Sequence, residues 1–203
     1  METRIDAVLF DWGGVLIDNP GPGLMSYCAR ALGVTVEDYT RVHNECGEPF
    51  QTGSIREEVF WQRVSEKLGR PMPRQVSLWG EAFRAVYSPR AEVFALARRL
   101  RRNGCKTSLL SNTEVPAMEF FFELQYDAFD ATTFSCAEGT IKPHRPIYEI
   151  AASKLGLTPA RCAFVDDKPE FVIGACRAGM KGIVYGSLTQ VRQELAGMGV
   201  RVK

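Results

Sequence analysis

The sequence predicts an α/β fold: a doubly wound, Rossmann-like parallel sheet with a helical insert after its first strand. Three observations carry this. Short continuous apolar runs recur along the chain, as strands buried on both faces do. Segments with apolar residues at helical spacing separate them. From about Asn19 to Ser88 the alternation stops, and helical patterns appear there with no convincing strand.

The first strand is Ala7-Val8-Leu9-Phe10, ended by Asp11. The insert follows. Within it Ser54-Ile55-Arg56-Glu57 has the form of a capping box, and Phe60, Trp61, Val64 and Leu68 make an apolar stripe. Val93, Leu96, Ala97 and Leu100 place a helix before the second strand, Lys106 to Leu110, which ends at Ser111-Asn112. Pro146 suits the first turn of a helix whose buried face is Ile147, Ile150, Ala151 and Leu155. The third strand, Cys162 to Val165, ends at Asp166-Asp167. A helix from Pro169 to Ala178, stopped by Gly179, leads to a fourth strand at Gly182 to Tyr185.

The chain has 203 residues, enough for one domain, or one domain plus a small insert, with a real core. Its formal net charge of +1 disfavours bulk nucleic-acid or anionic-membrane binding, and no apolar run approaches the length of a membrane span. The charged start, Met1 to Asp6, leads straight into a strand and does not read as a secretory signal. The six cysteines show no CxxC pair, so they read as reduced, mostly packed thiols of a cytoplasmic protein rather than as a disulfide framework or a zinc site. Two histidines make a His-rich metal site or a Ser-His-Asp triad unexpected. Oligomeric state is not legible.

In open α/β sheets, ligands bind outside the carboxyl ends of the strands. Those ends here carry Asp11, Ser111-Asn112 and Asp166-Asp167, with Lys142 just before Pro143 and the next helix. Three carboxylates at one edge are costly unless a cation neutralises them. All-oxygen ligands favour a hard ion, Mg²⁺. A carboxylate beside Mg²⁺, with Ser, Asn and Lys as donors, is suited to receiving a phosphoryl group through an aspartyl-phosphate.

With these residues the chain resembles the haloacid dehalogenase-like hydrolase superfamily. Four motifs stand in order: Phe10-Asp11-Trp12-Gly13-Gly14-Val15-Leu16, Leu109-Leu110-Ser111-Asn112, Ile141-Lys142-Pro143, and Phe164-Val165-Asp166-Asp167. The resemblance spans about residues 5 to 186. It implies a core of residues 1–18 and 89–203 and a small α-helical cap of residues 19–88. It implies Asp11 as nucleophile and metal ligand, and the Gly13 carbonyl as a second ligand. Ser111 and Asn112 would bind the transferring phosphoryl oxygens. Lys142 would hold the phosphoryl group and offset the charge on Asp11, and Asp166 and Asp167 would bind Mg²⁺ directly or through water. The substrate expected is a small phosphorylated metabolite.

One departure stands out. Phosphatases of this family carry a second Asp two residues after the nucleophile, as general acid and base; here that position is Gly13. Three functions follow: a Mg²⁺-dependent phosphatase with weakened acid–base chemistry, a metal-independent dehalogenase-like hydrolase, whose relatives also lack the second Asp, or a weakly active or inactive binding or regulatory protein. Lys168 would neutralise Asp167 or tune the site. His43 and His144 read as surface or partly packed histidines without a partner. Trp12 reads equally as a shield for the site or as core. Phe120-Phe121-Phe122 reads as core or interface packing, and the arginines Arg98, Arg99, Arg101 and Arg102 as the solvated end of a helix.

Overall fold

The computed structural model describes residues 4–203; residues 1–3, part of the charged start, lie outside the described residues. Five strands form one sheet: β1 (Ala7–Phe10), β2 (Lys106–Ser111), β3 (Ala131–Phe134), β4 (Cys162–Asp166) and β5 (Lys181–Val184). Their order is β3-β2-β1-β4-β5, and every pair is parallel. The helices are α1 (Gly21–Leu32), α2 (Val36–Gln51), α3 (Glu57–Leu68), α4 (Leu78–Val86), α5 (Ala91–Arg102), α6 (Val115–Glu123), the four-residue α7 (Ser135–Glu138), α8 (Arg145–Lys154), α9 (Pro169–Arg177) and α10 (Leu188–Gly197).

The two-residue period of β1 divides the core. Ala7 and Leu9 face a layer with Ile147, Tyr148 and Ala151 of α8 and Ala175 of α9. Val8 and Phe10 face the other layer, with Leu96 and Leu100 of α5 and Val191 and Leu195 of α10. Helices therefore cover both faces, the condition for an all-parallel sheet. The second layer runs on without a break into α1–α4, where Trp12 meets Phe83 of α4 with ring centroids 4.8 Å apart.

Two sequence expectations are corrected. A fifth strand, β3, sits at the sheet edge. Its Ala131-Thr132-Thr133-Phe134 has no apolar run, because only Thr133 and Phe134 are buried. The expected capping box at Ser54 is not formed: Arg56 is the N-cap of α3, without a side-chain bond. Glu57 is drawn inward, accepting from Trp61 Nε1 (2.8 Å), Ser77 Oγ (2.7 Å) and the Trp79 amide (2.8 Å). Three donors to a half-buried carboxylate outweigh one exposed cap bond. Ser54 instead shares a hydrogen bond with Thr52.

The other elements that the sequence named match within a residue or two, whereas α6, α7 and α10 were not among them. Gly179 ends the α9 turn with φ 99°. Arg98 and Arg101 pair with Asp127 and Asp130 on the solvated side of α5. Phe120 and Phe121 are buried, whereas Phe122 is exposed. All six cysteines are free thiols, and Cys176 is exposed rather than packed. No described helix is long and apolar enough to cross a membrane.

Candidate active site

Parallel strands in register end along one edge, and the predicted polar residues meet there. Asp11 follows β1 and extends its ladder, its amide donating to Val165 O (2.9 Å). Ser111 and Asp166 are the last residues of β2 and β4. Lys142 reaches into the edge fully buried: its Nζ lies 2.8 Å from Asp11 Oδ1 and 2.6 Å from Asp166 Oδ2, and it also donates to Leu110 O (3.3 Å). Ligand oxygens of Asp11, Asp166 and Asp167 lie within 4.8 Å of one another.

The charge balance is uneven. One buried ammonium faces three carboxyls, and the exposed Lys168 adds a weaker positive charge beside Asp167. Burial works against the charge of Lys142, but Asp11 and Asp166 outweigh it and hold its pKa above the usual range. Burial, and then the charge of Asp11, push Asp166 up. Burial and the neighbouring Asp166 push Asp167 up as well. Asp166 is satisfied by the protein, its Oδ1 accepting from the Lys168 amide (2.8 Å). Asp167 is not: among the described residues its buried Oδ1 has no hydrogen-bond partner. An orphaned carboxylate oxygen, excess negative charge and an all-oxygen donor set together fit a hard divalent cation.

The loop after β1 is folded tightly around this cluster. Leu16 and Ile17 donate to the Trp12 carbonyl, Gly14 donates to Ile17 O, and Arg90 Nη1 donates to Gly14 O (2.6 Å). Gly14 has φ 86°, and a Cβ there would stand 2.2 Å from Asp167 Oδ2. Glycine is therefore required both by the left-handed backbone and by the approach of Asp167. This requirement has no counterpart in the sequence reading, although the Gly13-Gly14 pair was its signal. Gly13, in contrast, is not left-handed; a Cβ there would meet Pro20 Cδ at 3.0 Å. The ring of Pro20, at the entry to α1, takes up the space beside the missing side chain.

Ser111 Oγ accepts from Thr113 Oγ1 (2.7 Å). Asn112, expected at the phosphoryl group, has its amide on the main chain of Lys142: Oδ1 accepts from Lys142 N (2.8 Å) and Nδ2 donates to Lys142 O (3.0 Å). One N–H of Asn112 stays free for another acceptor. Lys168 is exposed, its Nζ 5.1 Å from the Phe171 ring centroid.

Above the carboxylates lies a cavity of about 350 Å³. Asp11, Gly13, Ser111, Asn112, Lys142 and Asp167 line it, together with Leu24, Met25, His43, Gln51, Trp79 and Phe83 of α1, α2 and α4. Two of its wall residues, His43 and Glu114, were misread or missed in the sequence. His43, expected to have no partner, stacks on Trp79 (5.2 Å between centroids, 4° between planes), and burial pushes its pKa down to about 4. Glu114, at the N-cap of α6, is buried and accepts from Trp79 Nε1 (3.0 Å) and Gln51 Nε2 (3.2 Å). Its one sequence signal is its place three residues after Ser111. Trp12 is both core and cavity wall, and among the described residues its buried Nε1 has no partner.

Comparison with known proteins agrees with this architecture. A family model described as haloacid dehalogenase-like hydrolase matches residues 5–179. A sesquiterpene phosphatase of Aspergillus oryzae is 29% identical over 187 residues, covering 90% of this chain and 91% of that protein. A phosphatase of Mycobacterium tuberculosis, MT3486, is 27% identical, covering 96% and 95%. Among solved structures, a HAD family enzyme of Bacteroides thetaiotaomicron in complex with magnesium and inorganic phosphate superposes with a TM-score of 0.74 at 19% identity, over 92% of this chain and 98% of that one. The L-2-haloacid dehalogenase of Xanthobacter autotrophicus superposes with a TM-score of 0.63 at 23% identity, over 98% and 85%.

Proposed function

The chain belongs to the haloacid dehalogenase-like hydrolase family, and we propose that it is a Mg²⁺-dependent phosphatase acting on a small phosphorylated metabolite through Asp11. The observation that carries this reading is the cluster of three carboxyls around one buried ammonium, with an Asp167 oxygen left unpartnered. The relatives named as phosphatases cover nearly the whole chain and support it. So does the magnesium and phosphate held by the Bacteroides enzyme of the same fold.

Asp11, the Gly13 carbonyl, Asp166 and Asp167 would hold Mg²⁺, which supplies positive charge against the phosphoryl oxygens. Lys142 fixes Asp11 through Oδ1, so the attacking atom is Oδ2. Its attack on phosphorus breaks the ester P–O bond and leaves an acyl phosphate on Asp11. The electron pair goes to the ester oxygen of the organic group. Water then attacks phosphorus, releasing the Asp11 carboxylate and inorganic phosphate. Ser111 and the free N–H of Asn112 donate to the phosphoryl oxygens. Asn112 also holds the main chain of Lys142 in place. With no side chain at Gly13, the departing alkoxide takes its proton from water. The helices α1–α4 act as a cap of residues 19–88 that walls the organic end of the pocket.

The carboxylate cluster favours this reading over a metal-independent dehalogenase. The test is hydrolysis of p-nitrophenyl phosphate with and without Mg²⁺. Turnover that needs Mg²⁺ and vanishes in Asp11→Asn supports the proposal, since an amide is nearly isosteric but a poor nucleophile. Residual activity above about a tenth of wild type would remove Asp11 from the centre of the mechanism. Halide release from 2-chloropropionate that persists in chelator would favour the dehalogenase instead.

A further inference from the structure

The cavity wall contains a carboxyl group that the phosphoryl chemistry does not use. Glu114 is buried, and its two oxygens accept from different donors, Trp79 Nε1 and Gln51 Nε2. Two N–H donors, one on each oxygen, suit the ionised carboxylate: a neutral carboxyl would need an acceptor for its own proton. Yet among the described residues Glu114 has no ion pair. The cavity's two ammonium groups are engaged elsewhere, Lys142 by Asp11 and Asp166, and Lys168 exposed over Phe171. His43, on the same wall, is held neutral by burial. The result is a desolvated carboxyl without a counter-charge, and burial pushes its pKa up to about 7. A buried charge is costly unless it is paired. Its donor Trp79 is aromatic and carries His43 stacked on it, and the faces of such rings attract cations.

Resting on the phosphatase reading above, we propose that Glu114 is the specificity-determining residue of this pocket and that the substrate is a phosphomonoester whose organic part carries an ammonium group. The phosphate would sit at Asp11 and Lys142. The ammonium would supply the counter-charge that Glu114 lacks. A substrate of this kind carries opposite charges at its two ends, matching a cavity whose lining holds both the phosphoryl site and a carboxyl that lacks a cation. A plain hydrocarbon chain would leave Glu114 unpaired, and an anionic group there would be repelled.

The test is a series of ω-aminoalkyl phosphates of two to five carbons, each compared with the alkyl phosphate of equal length. At the length that spans the cavity, the amino compound is expected to exceed its neutral counterpart in kcat/KM by about 10- to 100-fold, the low end of the range for a desolvated ion pair. In Glu114→Gln that ratio should collapse toward one. The same comparison by calorimetry with the non-hydrolysable phosphonates reads the preference without turnover. Failure of the phosphatase reading, seen as no hydrolysis of p-nitrophenyl phosphate, is thereby separated from failure of this one. Equal binding of amino and alkyl phosphonates at every length would overturn the proposal. So would a preference that survives in Glu114→Gln, because the carboxyl would then only tie α2 and α4 to the sheet edge.

Discussion

Replacing Gly13 with Asp would put a carboxyl where phosphatases of this family carry their general acid, and the structure sets what that costs. Gly13 does not have a left-handed φ, so the backbone accepts a side chain. The obstacle is Pro20, whose Cδ and Cγ would lie 3.0 and 3.5 Å from the new Cβ. The ring must retreat by a few tenths of an ångström, an overpacking that costs about 1–3 kcal/mol. For a chain of this size that lowers Tm by roughly 2–12 °C. Pro20→Ala removes both ring atoms, so the double variant should regain most of that loss. The rate effect falls on the leaving group. An aryl oxide departs as a stabilised anion, whereas an alkoxide needs a proton in the transition state. The assay is kcat/KM for propyl phosphate relative to p-nitrophenyl phosphate. That ratio should rise by up to about 10²-fold in Gly13→Asp with Pro20→Ala. A folded double variant with the wild-type ratio would refute the view that this enzyme lacks only its acid.

Three further outcomes follow from the same geometry. Lys142→Met leaves Asp11 and Asp166 buried without their shared cation, and should cost about 3–5 kcal/mol in urea unfolding at neutral pH; a loss under about 1 kcal/mol would contradict the ion cluster. Gly14→Ala places a methyl group against Asp167 and forces a left-handed alanine, so Mg²⁺ binding measured by calorimetry should weaken at least about tenfold while Asp11 is untouched. Glu114 is held at about 7 rather than its ordinary 4.5, so between those values the folded chain keeps a proton that the unfolded chain has released. Its share of stability therefore falls as pH rises through that window, by up to ~3 kcal/mol. Unfolding at pH 5 and pH 8 should show a smaller drop in Glu114→Gln, and equal drops would show that Glu114 does not carry the shift.

The sheet edge was legible from the amino-acid sequence alone, because its information is local. A short apolar run names a buried parallel strand, and the residue that ends it is placed at the ligand edge by topology. Asp11, Ser111, Asp166 and Asp167 are each found this way, and Lys142 by its place before Pro143. The edge strand β3 was not legible, since a four-residue strand with two threonines and half its residues partly exposed carries no hydrophobic signature. The capping box at Ser54 failed because Glu57 found better donors in Ser77 and Trp79, some 20 residues away. The pocket wall around Glu114 belongs to the tertiary structure. Gln51, Trp79 and Glu114 come from three segments, and none of them carries a local pattern that points at the others. The same holds for Pro20 filling the space beside Gly13, and for Asp167 pressing on Gly14. Periodicity determines which face of an element is buried. Which side chains then touch depends on how packed helices settle against the sheet, a property of the whole set of contacts rather than of any segment.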